Sequence, residues 1–78
     1  MTNQCLKDLF LQMVDNQLND DSPPATRITY ERLQSLGYNQ QQAKEKIASA
    51  ALVETYNSRK AGEQFNEARY VKDLEELD

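Results

Sequence analysis

Apolar residues recur every three or four positions along several stretches of the chain, which is the spacing of amphipathic helices and not of strands. The first such stretch covers residues 4–18, and its predicted core stripe consists of Leu6, Leu9, Phe10 and Met13. A second row on the same helix consists of Leu11, Val14 and Leu18. Because two rows make a wider apolar face than one neighbour covers, this helix is expected to need two neighbours.

The second helix is predicted from the residues that mark its two ends. It begins at Pro23 or Pro24, after a polar turn in which Ser22 is placed to cap it, and it continues to about residue 36. Gly37 follows, and a glycine there ends a helix in the left-handed conformation without strain. The predicted inner side of this helix consists of Thr26, Thr29, Leu33 and Leu36, with Tyr30 at its margin.

The third helix is predicted to be long and central. Asn39 and Gln42 have the spacing of a capping box, which marks a helix start. The helix can then continue over residues 40–59, a length of about 30 Å. Its expected apolar arc consists of Ala43, Ile47, Ala48, Ala51, Leu52 and Tyr56.

A fourth helix follows a second glycine. Gly62 is expected to end the third helix, and Asn66 to begin the next one, with Phe65 and Tyr70 packed across its start. Its apolar face is predicted to consist of Tyr70, Val71, Leu74 and Leu77. Residues 1–78 are therefore predicted to form one all-α domain, a compact bundle of about four helices with a long central third helix.

The composition disfavours most kinds of chemistry. The chain has 13 acidic and 9 basic residues, a net charge of −4, so attraction to nucleic acid or anionic lipid is not expected. It has no histidine, the usual proton-transfer group and metal ligand. Cys5 is the only cysteine, so it forms no intrachain disulfide and is expected to be a small buried side chain in a reducing compartment. We predict a protein without catalytic residues, cofactor or metal site.

The N-terminal residues lack the basic and apolar regions of a signal peptide, and no apolar run approaches the roughly 18 residues of a membrane span. The expected location is the cytoplasm.

The segment Leu33-Gln34-Ser35-Leu36-Gly37-Tyr38, followed by Ala43 and Ile47, resembles ubiquitin-associated-like helical modules. This local resemblance implies that Gly37 and Tyr38 belong to a partner-binding surface. Over nearly the whole chain, the layout is similar to small uncharacterised bacterial helical proteins, and that resemblance implies a fold and a bacterial origin but no activity. Its residues are Tyr30, Leu33, Gly37, Ala43, Ile47, Phe65, Asn66 and Tyr70.

Two functional hypotheses rank above an enzyme. The first is a non-catalytic protein-protein interaction or adaptor protein of unknown partner, for which a homodimer is one form. Its expected interaction surface consists of Leu11, Leu18, Ile28, Gly37 and Tyr38. The alternative is a small regulatory domain that contacts nucleic acid or a nucleic-acid-processing partner, and its expected contacts are Arg27, Arg32, Lys44 and Lys46.

Overall fold

The structure, a computed structural model, describes the backbone of residues 2–77 and the side chains of residues 7–77. Its elements are α1 (Thr2–Asp20), α2 (Pro24–Ser35), α3 (Gln40–Lys60) and α4 (Glu67–Glu75), and residues 2–77 contain no strand. The prediction of an all-α bundle with a long third helix is confirmed. The predictions for the side chains of Cys5 and Leu6 lie outside the described residues.

The predicted start of α3 is correct, and so are the glycines predicted to end α2 and α3. The Asn39 side chain accepts a hydrogen bond from the Gln42 backbone N–H at 2.8 Å, and the Gln42 side chain accepts one from the Asn39 N–H at 3.0 Å. Gly37 (φ 110°) and Gly62 (φ 71°) both adopt left-handed backbone, which a residue without Cβ does without strain. These local signals could be interpreted without tertiary information, because the groups that satisfy each helix end are close in sequence.

The start of α2 differs from the prediction. Pro23 is the N-cap residue, Pro24 opens the first turn, and no side chain caps the helix. Ser22 lies before the cap position, and its backbone N–H bonds instead to the carbonyl of Gln17. A proline in the first turn has no N–H to satisfy, so the helix can begin without the expected serine cap.

All four helices contribute to the core. On α1 the buried row runs at four-residue intervals through Phe10, Val14 and Leu18, with Leu11 and Met13 packed beside it. The other buried apolar residues are Leu33 of α2, the α3 residues Ala43, Ile47, Ala48, Ala50 and Ala51, and the α4 residues Tyr70 and Leu74.

Some predicted core residues are exposed. Leu9 faces solvent because α1 directs its Phe10 row inward, and Leu36 is exposed because it is the cap residue beyond the last turn of α2. Leu52 and Tyr56 are also exposed, because the alanines of α3 face the core together with two polar residues, Glu54 and Ser58.

Helix α3 contacts the three other helices, as its length suggested, and α2 does so too. The centre of the bundle is therefore shared by α2 and α3.

Candidate functional site

A neutral hydrogen-bond network joins α1, α2 and α4 in the interior. The side-chain oxygen of Gln17 accepts hydrogen bonds from the Thr26 hydroxyl at 2.7 Å and from the Tyr70 hydroxyl at 2.9 Å. Thr26 and Tyr70 are fully buried, and burial raises the pKa of the Tyr70 phenol. One acceptor thus satisfies two buried hydroxyls, which is a structural role. We call these three residues the neutral network.

A charged network joins α3 to the start of α4. Oε2 of Glu54 accepts hydrogen bonds from the Ser58 hydroxyl (2.7 Å), the Arg69 guanidinium (2.9 and 3.2 Å) and the Asn66 backbone N–H (3.1 Å). The Glu54 side chain is 2% exposed, whereas that of Arg69 is 43% exposed. Hydrogen bonds from Ser58, and then from Arg69 and Asn66, lower the pKa of Glu54. We call this group the charged network. Because Oε2 of Glu54 accepts four hydrogen bonds, this carboxylate links α3 to the start of α4.

The arginines of the alternative hypothesis are engaged within the fold. Nε of Arg27 bonds to a carboxylate oxygen of Asp21 at 2.6 Å. Arg32 donates to the backbone carbonyls of Leu74 at 2.7 Å and Leu77 at 2.5 Å, so it satisfies the C-terminal end of α4. Both guanidinium groups therefore have structural partners.

The two lysines of the same hypothesis also have partners. Nζ of Lys44 lies 2.8 Å from a carboxylate oxygen of Asp15 and 5.9 Å from the centre of the Tyr30 ring. Nζ of Lys46 lies 4.8 Å from the centre of the Tyr38 ring. The predicted basic surface is thus divided among separate intramolecular contacts.

The predicted interaction residues do not form one surface. Leu18 is only 7% exposed and belongs to the core, so the expectation that it lies uncovered is wrong. Leu11 is half-buried and packs against the core as well. Leu18 belongs to the buried row of α1 and Leu11 packs beside that row, and this removes the reason for including them in an interaction surface. Ile28 is exposed on α2 as predicted.

Tyr38 lines an open groove of about 360 Å³, and Gly37, which precedes it, is exposed but is not among the lining residues. Tyr38 is half-buried against the core, so it combines packing with a position at the groove. The lining residues are Tyr38, Gln42, Glu45, Lys46, Ser49 and Leu77. A second groove of about 280 Å³ shares Ser49 and Leu77 with the first and extends to Val53, so a shallow depression follows α3 and α4.

Sequence reasoning missed the exposed apolar surface of α3. Leu52, Val53 and Tyr56 are 42%, 49% and 64% exposed and lie on successive turns of the helix. We call these three residues the α3 outer patch. The two alanines could have revealed this patch, because small residues allow close packing of helices. Ala50 and Ala51 lie on the opposite side of α3 together with the buried Glu54 and Ser58.

Within residues 7–77, no group of three or more acidic or thiol side chains is placed to hold a metal ion. None of the four helices in the described part of the chain combines the length and apolar character that a bilayer crossing requires. Comparison with protein-family models, curated proteins and solved structures gives no significant match. The two resemblances noted in the sequence therefore stay predictions.

Proposed function

We propose that this chain is a non-catalytic protein-interaction domain that contacts its partner through the α3 outer patch. The observation that carries the proposal is the exposure of three large apolar side chains, Leu52, Val53 and Tyr56, side by side on one helix. Complete burial of a large apolar side chain contributes about 1.5–3 kcal/mol, and because these three are 42%, 49% and 64% exposed, a partner that covers the patch gains about half of that from each. Clustered apolar exposure of this kind is typical of interaction sites.

The sequence-predicted loop extends this surface. Ser49 lines the groove beside Tyr38, and it precedes Leu52 by one turn of α3. A partner that lies along α3 can therefore contact the patch and the Tyr38 groove together. Ile28 belongs to α2 and is not needed for this contact. An adaptor role in the bacterial cytoplasm is compatible with this arrangement and is part of the proposal.

The nucleic-acid alternative has weaker support. Arg27 and Lys44 form intramolecular ion pairs at the surface, and Arg32 is bound to carbonyls of the α4 end. A phosphate backbone would compete with these contacts, and the net charge of −4 opposes its approach.

Site-specific photo-cross-linking tests the proposal. A benzophenone amino acid replaces Tyr56, and in a matched control it replaces Asn19, an exposed residue of α1. In cells that naturally produce the chain, a discrete protein adduct is expected from position 56 and none from position 19. A product of twice the chain's mass would identify a second copy as the partner.

Two results would contradict the proposed function. One is the absence of any adduct at position 56. The other is an adduct that nuclease removes and protease treatment of the partner does not, since that would favour the nucleic-acid alternative.

A further inference from the structure

We infer that the α3 outer patch binds an amphipathic helix whose apolar stripe is followed by acidic residues; this inference rests on the proposed function and specifies its partner. The second half of α3 has an unusual set of exposed side chains for an acidic protein. Over residues 49–60 they are Ser49, Leu52, Val53, Tyr56, Asn57, Arg59 and Lys60. Glu54 is the only carboxylate in this range, and it is buried in the charged network.

The two cations at the end of α3 are available to a partner. Arg59 and Lys60 are exposed, and they follow Tyr56 by three and four residues, which places them next to it on the helix surface. Among the described side chains, the ion pairs involve other cations: Lys7, Arg27, Lys44 and Arg69. The apolar patch therefore ends at two positive charges that no carboxylate of the described chain neutralises.

The shape of the surface favours a helical partner. Leu52, Tyr56 and Lys60 form one row at four-residue spacing, and Ser49, Val53 and Asn57 form a parallel row. Packed helices place the side-chain ridge of one in the groove between two such rows of the other. Along the first row, the surface changes from apolar to positive. A complementary helix therefore carries apolar residues at i, i+3, i+4 and i+7 and carboxylates beyond them.

An anionic membrane is the main competing occupant of an apolar surface with adjacent cations. The net charge of −4 opposes it, because a membrane presents negative charge to the whole facing side of the molecule. A single helix presents its carboxylates locally to Arg59 and Lys60. At physiological salt the Debye length is about 8 Å, so the remaining acidic groups of this chain repel such a helix only weakly.

Two synthetic peptides test the inference. Each has about 18 residues and the same leucine stripe, and one carries glutamates where the other carries lysines. Binding to the full chain is followed by amide chemical shifts in NMR spectra. The acidic peptide should shift the amides of Leu52, Val53, Tyr56 and Lys60, and the basic peptide should bind about tenfold more weakly, as expected for two exposed charge pairs.

Variants of the chain assign the preference to its two cations. The double change Arg59→Gln and Lys60→Gln should weaken the acidic peptide about tenfold and leave the basic peptide unaffected or improved. Arg27→Gln, which removes a cation that pairs with Asp21 at the start of α2, is the control and should change neither affinity. Unchanged amide dispersion in each variant shows that the fold is retained.

Four results would overturn the inference. The first two are equal binding of both peptides and no binding of either. The third is that vesicles containing anionic lipid shift the same amides while the acidic peptide does not. The fourth is that these amides shift with the concentration of the chain alone, without any peptide. In each case the cross-linking result at position 56 decides the proposed function separately. A protein adduct there would retain the interaction function while its acidic helical partner is rejected.

Discussion

The neutral and charged networks both attach α4 to the bundle, but they differ in how their polar groups are satisfied. In the neutral network, one amide oxygen of Gln17 receives two hydroxyl donors, and no charge is buried. In the charged network, the Glu54 carboxylate is almost completely buried while the guanidinium of Arg69 stays partly in water. Arg69 also contacts Glu63 in the connecting loop, at 3.2 Å.

This difference shows how a small helical bundle can use polar residues without orphaned groups. No buried side-chain polar atom in the described part of the chain lacks a hydrogen-bond partner. The neutral network places two fully buried hydroxyls on the amide of a half-buried Gln17, so no charge has to be desolvated. The charged network lies at the edge, where one partner remains hydrated and short-range hydrogen bonds compensate for the burial of the other.

The apolar contacts beneath both networks should contribute more than either network. Leu74→Ala and Leu33→Ala are each expected to lower the free energy of unfolding by about 2–4 kcal/mol, because both side chains are fully buried and truncation leaves a cavity. Chemical denaturation measures this loss. Ile28→Ala, at an exposed position of α2, is the control. A loss below about 0.5 kcal/mol in both core variants would be typical of surface positions and would contradict the packing described.

Gln17→Leu should break the neutral network at its centre. The expected loss is about 2 kcal/mol, because two buried hydroxyls lose their common acceptor. Gln12→Leu changes an exposed residue of the same helix in the same way and should have little effect on stability. Denaturation at pH 6 and pH 8 should give the same loss, since no group of the neutral network titrates in this interval. Equal stability of the two variants would mean that the network is dispensable.

Tyr70→Phe should remove one bond of the neutral network at a cost of about 1 kcal/mol near neutral pH. The same substitution should also change how stability depends on pH in base. Burial raises the pKa of Tyr70 above its ordinary value of 10.0, so the unfolded chain loses the phenolic proton first. The associated stability is complete below pH 10 and is lost as the pH rises through the folded-state pKa. The phenylalanine variant should therefore lose less stability in base than the parent.

The stability that the charged network contributes should be lost in acid and not in base. We expect it to be the smallest of these contributions, because Arg69 is partly hydrated. The pKa of Glu54 in the folded protein is lower than its ordinary value of 4.5, so the unfolded chain binds the proton more readily. Its contribution is complete above pH 4.5 and is lost as the pH falls through the folded-state pKa.

Thermal unfolding between pH 6 and pH 3 checks this prediction, with Glu54→Gln expected to reduce the acid sensitivity. Glu45 is a useful comparison because a hydrogen bond from Lys7 also lowers the pKa of Glu45. Glu45→Gln changes an exposed pair and should leave the acid dependence due to Glu54 in place. An acid profile identical in Glu54→Gln and the parent would show that the charged network adds no pH-dependent stability.

The sequence by itself determined the helices of this protein and most of their ends. Asn39 with Gln42, Gly37 and Gly62 act on backbone groups within a few residues, so their effect does not depend on the rest of the fold. The helical period also identified fully buried residues such as Leu33, Ile47 and Leu74.

Only the tertiary structure decided which side of α1 and α3 is covered. The apolar arc of each helix is wider than its buried face, so periodicity could not choose between Leu9 and Leu18 on α1. On α3, Glu54 and Ser58 are buried because Arg69 and Asn66 reach them from beyond the α3–α4 connection. Leu52 and Tyr56 consequently face solvent and form the candidate site. That outcome depends on pairing between residues of different helices, and a pattern along a single helix does not contain it.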